Sequence, residues 1–171
     1  MSGAETMRIE TLNRDTLPGA VETIRSLPEF FYERDLEHAE RNYKEFVEGR
    51  LKDAVFLTVL ENRDQTRGQV LGVLGAIRRC DTDGVYFLAS FAVRRGLRGQ
   101  GLGRQLIEAV ESELKTRGAR LVFAETTPSP YCAETRAFYE AVGYTCMAQV
   151  TDFWQDGDPL MLYGKRLKQP Q

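Results

Sequence analysis

Four arginines and four glycines are concentrated in the eleven residues from Arg94 to Arg104, in a chain whose formal net charge is only −2. The segment follows a nearly continuous apolar stretch, VYFLASFAV, and precedes an amphipathic stretch that starts at Leu102. Glycine lets the backbone adopt left-handed conformations and approach a ligand closely. The first amides of a helix are unpaired and lie at the positive end of its dipole. Together with the arginines, these features predict an anion site, for which a phosphate is the best candidate.

Two common phosphate motifs do not fit this segment. A dinucleotide-binding GxGxxG would need a third glycine at position 104 or 106, where the chain has Arg104 and Leu106. A P-loop would need a Gly-Lys pair followed by Ser or Thr, and the segment has none. The pattern that does match is Arg-x-x-Gly-x-Gly, formed by Arg98, Gly101 and Gly103.

The segment FAVRRGLRGQGLGRQLIEAVE resembles the acyl-CoA signature of the GNAT family of N-acetyltransferases. The resemblance implies that the loop amides hold the pyrophosphate of acetyl-CoA, the acyl donor, and that the preceding strand pairs with the pantetheine arm. It assigns coenzyme contacts to the following residues: Phe91, Ala92, Val93, Arg98, Gly99, Gly101, Leu102, Gly103, Arg104, Thr135 and Phe138.

A second segment, ETTPSPYCAETRAFYEAVGY, is similar to the other coenzyme-facing part of the family, in which a short helix ends in Phe-Tyr-x-x-x-Gly-Tyr or Phe. With the Gly157-Asp158 turn, it also resembles a subgroup of small, uncharacterised bacterial-type acetyltransferases. The resemblance covers roughly 57–167. One departure is Cys132, which stands where many members have an asparagine that binds the pantetheine arm. Because a thiol is a weak donor and acceptor, that contact is either absent or replaced by Thr135 or Arg136.

Transfer of an acyl group from a thioester to an amine needs a neutral amine, a stabilised oxyanion and a protonated or stabilised leaving thiolate. Tyr139 is our candidate for the leaving-group acid, since a phenol with an ordinary pKa of about 10 is a neutral donor at pH 7. The alternative is a core tyrosine that closes the short helix. The resemblance alone assigns the oxyanion contact to the backbone amide of Val93.

The general base is harder to identify, because VYFLASFAV carries no carboxylate. Glu125, at the end of the next strand, is the best candidate, since desolvation among apolar strand residues would raise its pKa. Its alternative is a structural bond to backbone or to an arginine. Asp152, Ser90 and Tyr86 stay open as bases, and some amines could lose their proton to solvent.

Other aromatic and titratable residues have simpler interpretations. His38 fits a solvent-facing position between two glutamates of a helix, although that helix flanks the acceptor side in the family. Phe30, Phe31 and Tyr32 suit core or lid packing better than an acceptor pocket. Trp154 could serve an acceptor site, a dimer contact or plain packing.

Apolar periodicity places these residues on a series of elements. Strands are predicted at 6–12, 53–60, 70–77, 85–93, 119–126, 144–150 and 160–166, and helices start at Leu17, Glu33, Leu102 and Glu134. The strand–helix–strand unit after residue 85 implies a parallel pair with a right-handed crossover. This order predicts a mixed α/β sheet in one domain over 1–171, with a coenzyme-binding core at about 85–145 and acceptor-side helices at about 15–50. The family implies about seven mostly antiparallel strands, splayed between strands four and five.

Composition excludes several classes of protein. The chain has 171 residues with 42% apolar and 28% charged residues, which are globular values. The mild negative charge argues against nucleic-acid binding, and no apolar run approaches the ~20 residues of a membrane helix. The N-terminus lacks a secretory pattern, and three scattered cysteines suggest reduced thiols in the cytoplasm. A single histidine cannot supply a multi-histidine metal site, so we expect no metal.

The leading hypothesis is an N-acetyltransferase that acts on a primary amine of a small molecule or peptide by direct transfer in a ternary complex. No cysteine has a nearby histidine in sequence to make it a covalent nucleophile. The alternatives are a non-catalytic acyl-CoA-binding module and an interaction domain without coenzyme. The acceptor cannot be identified from these residues, since a fold does not determine a substrate. Because the family often dimerises, the resemblance also suggests a homodimer.

Overall fold

A computed structural model describes residues 7–61 and 68–167 of the chain. The observed element order is the predicted one, with a short 3-10 turn added at Pro130–Cys132. The strands are β1 (Met7–Thr11), β2 (Ala54–Glu61), β3 (Val70–Arg78), β4 (Val85–Val93), β5 (Leu121–Thr126), β6 (Thr145–Gln155) and β7 (Asp158–Arg166). The helices are α1 (Leu17–Arg25), α2 (Glu33–Val47), α3 (Leu102–Thr116) and α4 (Ala133–Ala141).

The seven strands form one mixed, mostly antiparallel sheet in the order β1-β2-β3-β4-β5-β7-β6. The pair β4 and β5 is parallel, as the intervening helix α3 requires. Its register comprises three pairs, from Val85–Leu121 to Phe87–Phe123, although β4 continues to Val93. The predicted fold class is confirmed.

The described residues separate into two compact units. The first unit contains the residues up to Ala76 together with Ala89–Glu113, and the second contains Ile77–Leu88 together with the residues from Leu114 onward. The expectation of a single domain over 1–171 stays a prediction.

The core of the first unit forms because its helices bury one apolar stripe each. In α1 the buried side chains include Ala20 and Ile24, and in α3 Leu106, Ile107 and Val110 are fully buried. Strand β2 is buried along its whole length, as expected of a strand covered on both faces. The Tyr43 ring of α2 and the Phe56 ring of β2 pack in a T-shaped arrangement, with centroids 5.4 Å apart. This apolar core supports the end of β4 and the loop that follows.

In the second unit, β5 and β7 are paired along the whole of β5, from Leu121–Arg166 to Thr126–Met161. Helix α4 ends where Gly143 adopts a positive φ of 91°, after which the Tyr144 amide donates to the Tyr139 carbonyl at 2.9 Å. This left-handed residue closes the helix and returns the chain to the sheet. The predicted Gly143 stop is therefore where α4 ends.

Strand β6 differs from its prediction, which ended it at Val150. The strand continues to Gln155 and pairs with β7 through a register shift between Val150 and Gln155. Within that shift Asp152 has a positive φ of 52°, and its carboxylate accepts the Gly157 amide at 2.8 Å. A bulge held by one side chain lets the strand turn without ending.

Two parts of the sequence predictions lie outside the described residues: Thr6, at the start of the first strand, and most of the turn after β2, at 62–67. None of the helices within 7–61 and 68–167 combines the length and the apolar character that a membrane span needs.

Candidate functional site

The glycine loop, residues 94–104, comprises the connection between β4 and α3 (94–101) and the first three residues of α3, all within the first unit. Gly96, Gly99 and Gly101 have positive φ values of 86°, 75° and 84°. A Cβ atom at any of the three would meet no atom within 4 Å, so backbone rotation rather than crowding requires glycine there. Helix α3 begins directly afterwards at Leu102, which is 1% exposed and anchors the turn. The loop therefore brings left-handed backbone to the start of a helix, an arrangement suited to an anion.

The four arginines of the glycine loop have different surroundings. Arg94 is mostly buried, donates through Nε to the Val70 carbonyl at 2.7 Å and pairs with Glu22 at 2.9 Å. These bonds give it a structural role. Arg95 pairs with Glu29 at 2.6 Å, and Arg104 lies 3.7 Å from Glu108 one helical turn later.

The guanidinium of Arg98 lies 4.5 Å from the centroid of the Phe30 ring. Both Arg98 and Arg104 are exposed. A cation–π contact leaves the N–H donors of an arginine available to an anion. Arg98 is therefore better placed than Arg94 to meet an anion, and its contact with a phosphate stays a prediction.

The end of β4 precedes the glycine loop and contains the predicted pantetheine contacts Phe91, Ala92 and Val93. Ala92 is 3% and Val93 9% exposed, while Phe91 is half-buried. Just before them, Ser90 has a positive φ of 55°, which is unusual for a non-glycine residue inside a strand. Such a residue redirects the strand and changes which amides and carbonyls it presents.

Beneath this point the Tyr43 hydroxyl is fully buried. Burial raises the pKa of Tyr43, and an interaction with the Ser90 side chain lowers it only in part. Ser90, the residue of β4 with the unusual φ, therefore interacts with a neutral, buried phenol. The sequence indicates Ser90 only as a candidate base, and no pattern in it indicates this backbone conformation.

Tyr139 belongs to an aromatic cluster in the second unit. Its side chain is 5% exposed, and its ring centroid lies 5.9 Å from that of Phe138, 5.7 Å from Tyr144 and 5.9 Å from Tyr163. Burial raises the pKa of Tyr139 above its ordinary value of 10.0, and Cys132 adds to the shift. The phenol therefore stays protonated at neutral pH and is a proton donor. Thr135 and Phe138, on the same helix, are half-buried.

Cys132 lies at the start of α4 and is 8% exposed. Burial raises the pKa of its thiol, while a hydrogen bond with the Thr126 side chain opposes the shift. The thiol is thus neutral and close to Tyr139. The position at which many relatives have an asparagine lies beside the candidate acid.

The loop between β5 and α4 is held by the side chains of Arg136 and Asp158, neither of which was predicted as an anchor. Arg136 donates through Nη1 to the carbonyls of Thr127 and Ser129, both at 2.8 Å. The Thr127 hydroxyl donates to Asp158 at 2.6 Å, and Asp158 is 9% exposed. The Gly-Asp turn noted in the sequence was the available signal for this second anchor.

Glu125 is exposed on β5, opposite Leu162 of β7. Partial desolvation by the strand around it raises the pKa of its carboxyl above 4.5, and the positive charge of Arg79 opposes the shift. A raised pKa is what a general base needs in order to work nearer neutral pH.

The remaining candidate residues lie in the following surroundings. The Asp152 carboxylate accepts the Gly157 amide, which is a structural bond. Tyr86 is 4% exposed in β4. His38 is exposed on α2, as the sequence predicts, and its ring lies 2.9 Å from Arg41. Trp154 packs edge-on against Phe153, with ring centroids 4.8 Å apart.

Within 7–61 and 68–167, no three His, Cys, Asp or Glu residues cluster as metal ligands would.

The chain is similar to known proteins of one family. Residues 20–144 match the Acetyltransferase (GNAT) family. No curated protein sequence matches the chain significantly. Among solved structures, a GNAT-family protein from Desulfovibrio desulfuricans is 24% identical, with a TM-score of 0.85 over 95% of this chain and 100% of that one.

Two further structures share the fold at lower identity. The ribosomal-protein-S18-alanine N-acetyltransferase from Escherichia coli is 17% identical, with a TM-score of 0.72 over 97% of each chain. A Salmonella typhimurium protein solved with its cofactor acetyl-CoA is 17% identical, with a TM-score of 0.74 over 97% of this chain and 96% of that one. The family match spans most of this chain, and the glycine loop lies inside it. The chain therefore belongs to the GNAT family of acetyltransferases.

Proposed function

We propose that the protein transfers an acetyl group from acetyl-CoA to a primary amine of a small molecule or peptide, directly within a ternary complex. The observation that supports this most is the glycine loop, in which three left-handed glycines and the exposed Arg98 precede the first turn of α3. Backbone amides, a helix dipole and a guanidinium together suit the pyrophosphate of coenzyme A. Membership of an acetyltransferase family makes acyl transfer the expected chemistry.

The residues of the glycine loop, of β4 and of α4 would bind the coenzyme in the following way. Acetyl-CoA supplies the acetyl thioester when bound, and the loop holds its phosphates through Arg98 and the amides around Gly99, Gly101 and Gly103. Phe91 and Ala92 would pair with the pantetheine arm, and the Val93 amide would stabilise the oxyanion. Arg104, Leu102, Thr135 and Phe138 complete the coenzyme contacts that we propose.

Tyr139 would donate a proton to the departing sulfur. Because burial raises the pKa of Tyr139, the phenol is protonated at every pH at which the enzyme would work. A donor of this kind lowers the barrier by neutralising charge as it develops on the leaving group.

Glu125 would accept the proton that the amine loses before or during attack. Its raised pKa and exposed position suit that role. Proton loss to solvent is the alternative for amines that are weakly basic, since β4 carries no carboxylate.

A second candidate function is a non-catalytic module that binds acyl-CoA. Two observations favour it: Cys132 in place of the usual asparagine, and a fourth strand without a carboxylate. This hypothesis predicts tight coenzyme binding without turnover for any amine.

The proposal leaves the acceptor at the level of a primary amine, and it extends to the location and the assembly of the protein. The Escherichia coli relative acts on an alanine of a ribosomal protein, and at 17% identity this acceptor cannot be assigned to the present chain.

We place the protein in the cytoplasm because its three cysteines are unpaired. We expect a homodimer in which β6 contributes to the contact, since Met147 and Phe153 on it are about half exposed.

The test is a thermal-shift titration with acetyl-CoA, run beside a variant that combines Arg98→Glu with Gly101→Glu. Acetyl-CoA at about 100 times its Kd stabilises a protein by roughly 2.7 kcal/mol. For a chain of this size that corresponds to a rise in Tm of about 5–10 °C. A shift that the variant lacks would support the coenzyme site, and an amine screen with thiol detection would then separate enzyme from binding module. No shift with acetyl-CoA or any other acyl-CoA would refute both functions.

A further inference from the structure

The connection between α1 and α2, residues 26–32, touches the glycine loop within the first unit. It does so through Glu29, which pairs with Arg95 at 2.6 Å, and through Phe30, whose ring centroid lies 4.5 Å from the guanidinium carbon of Arg98. Glu29 and Phe30 are more than sixty residues away in sequence from these arginines. Two adjacent residues of the connection thus hold two arginines of the loop.

The backbone of Phe30 is held independently of the arginine. Its amide donates to the Leu27 carbonyl at 3.0 Å, and Leu27 is 1% exposed in the core. Two residues later the Tyr32 amide donates to the Asp35 carboxylate at 2.9 Å, which begins α2. Because the backbone is anchored on both sides of Phe30, the half-buried ring projects from an ordered segment and offers its face to the flexible Arg98 side chain.

The ring changes what Arg98 can contribute to a ligand. An exposed arginine loses rotamer entropy when an anion immobilises it, and a side chain that is already held in place loses less. The ring attracts the cation through its π face and leaves the N–H donors free to bind phosphate oxygens. Arg95, in contrast, has its charge offset by Glu29 at 2.6 Å.

We propose that Phe30 is a positioning residue for the coenzyme, because its ring holds the Arg98 guanidinium at the glycine loop, ready for the phosphates of coenzyme A. The proposal rests on the proposed function in one respect, namely that the loop binds coenzyme A. It adds that a residue of the helical N-terminal part of the chain helps to determine affinity for the coenzyme. Phe30 acts through Arg98 and needs no contact with the ligand.

The test measures the Kd of coenzyme A by titration calorimetry for the wild type, Phe30→Leu and Phe30→Tyr. A cation–π contact at an exposed site corresponds to about a two- to fivefold change in Kd, so Phe30→Leu should raise the Kd by that factor. Phe30→Tyr keeps an aromatic face and should stay within about twofold of the wild type. An unchanged Kd for Phe30→Leu would overturn the proposal.

A double-mutant cycle separates positioning from packing. In an Arg98→Gln background, Phe30→Leu should have no further effect on the Kd, because the side chain through which the ring acts is gone. The same loss in both backgrounds would mean that the ring supports the local fold, and would refute the proposal. If Phe30→Leu does not fold, Phe30→Met removes the ring with less change in volume, and the same cycle applies.

Failure of this proposal and failure of the proposed function give different results. If the wild type does not bind coenzyme A in the first titration, the proposed function fails, and this inference fails with it. If the wild type binds and the Phe30 variants match it, only the inference fails.

Discussion

Replacing Tyr139 by phenylalanine removes the hydroxyl of the proposed acid and keeps the aromatic ring. The side chain is 5% exposed, and phenylalanine keeps the ring contacts with Tyr144 and Tyr163. A positioned general acid contributes about 10²–10⁴-fold to the rate, which is roughly 2.7–5.4 kcal/mol of the barrier at about 1.36 kcal/mol per tenfold. We expect kcat to fall by that factor, while the Kd of acetyl-CoA changes by less than about twofold.

The structure also predicts how this loss depends on pH. Since burial raises the pKa of Tyr139 above 10.0, less than about 1% of the phenol is ionised at pH 8. The acid form is fully populated across the neutral range. The ratio of wild-type to variant kcat should therefore be constant from about pH 6 to pH 9. The measurement is thiol release with the amine that the screen identifies, at saturating acetyl-CoA.

Tyr163→Phe is the matched control, because it makes the same change in the same aromatic cluster. Tyr163 is 2% exposed, and its hydroxyl donates to Glu140 at 3.0 Å. Losing that bond should cost about 1 kcal/mol of stability, or a fall in Tm of about 2–4 °C, with kcat within about twofold of the wild type. Unchanged turnover in Tyr139→Phe, or an equal loss in Tyr163→Phe, would refute the assignment of Tyr139 as the acid.

Three further predictions test other parts of the structure. Glu125→Gln should slow turnover and abolish the acid limb of the kcat/KM profile. For the wild type this limb should lie above pH 4.5, because the pKa of Glu125 is raised. An identical limb in the variant would exclude Glu125 as the base. Ser90→Val should lower the free energy of unfolding by about 1–3 kcal/mol more than Ser90→Gly, because only glycine adopts a φ of 55° without strain, and equal thermal melts would contradict this. The raised pKa values of Tyr43, Tyr139 and Tyr163 mean that the folded state favours the neutral phenols, so stability should be complete below pH 10 and decline as the pH rises above it. Absorbance titration of the phenols beside circular dichroism would check this, and tyrosine ionisation at pH 10 in the intact fold would argue against it.

Local patterns in the sequence predicted the elements well. The bounds of β4 and the start of α3 at Leu102 agree with the structure, because an apolar run, a glycine-rich turn and an amphipathic stripe each depend on residues that are close in the chain. The bounds of β6 were predicted less well. It continues past Val150 to Gln155 through a bulge at Asp152, which is closed by a bond to Gly157 that no periodicity reveals.

Short-range patterns and backbone chemistry were enough to predict the order of the elements, the fold class and the position of the glycine loop. They could not show which side chains surround the candidate residues. Packing puts Phe30 under Arg98, and it buries Tyr139 so that the pKa of this tyrosine is raised. Burial and electrostatics depend on neighbours that packing brings together, and Phe30 and Arg98 are more than sixty residues apart in the chain.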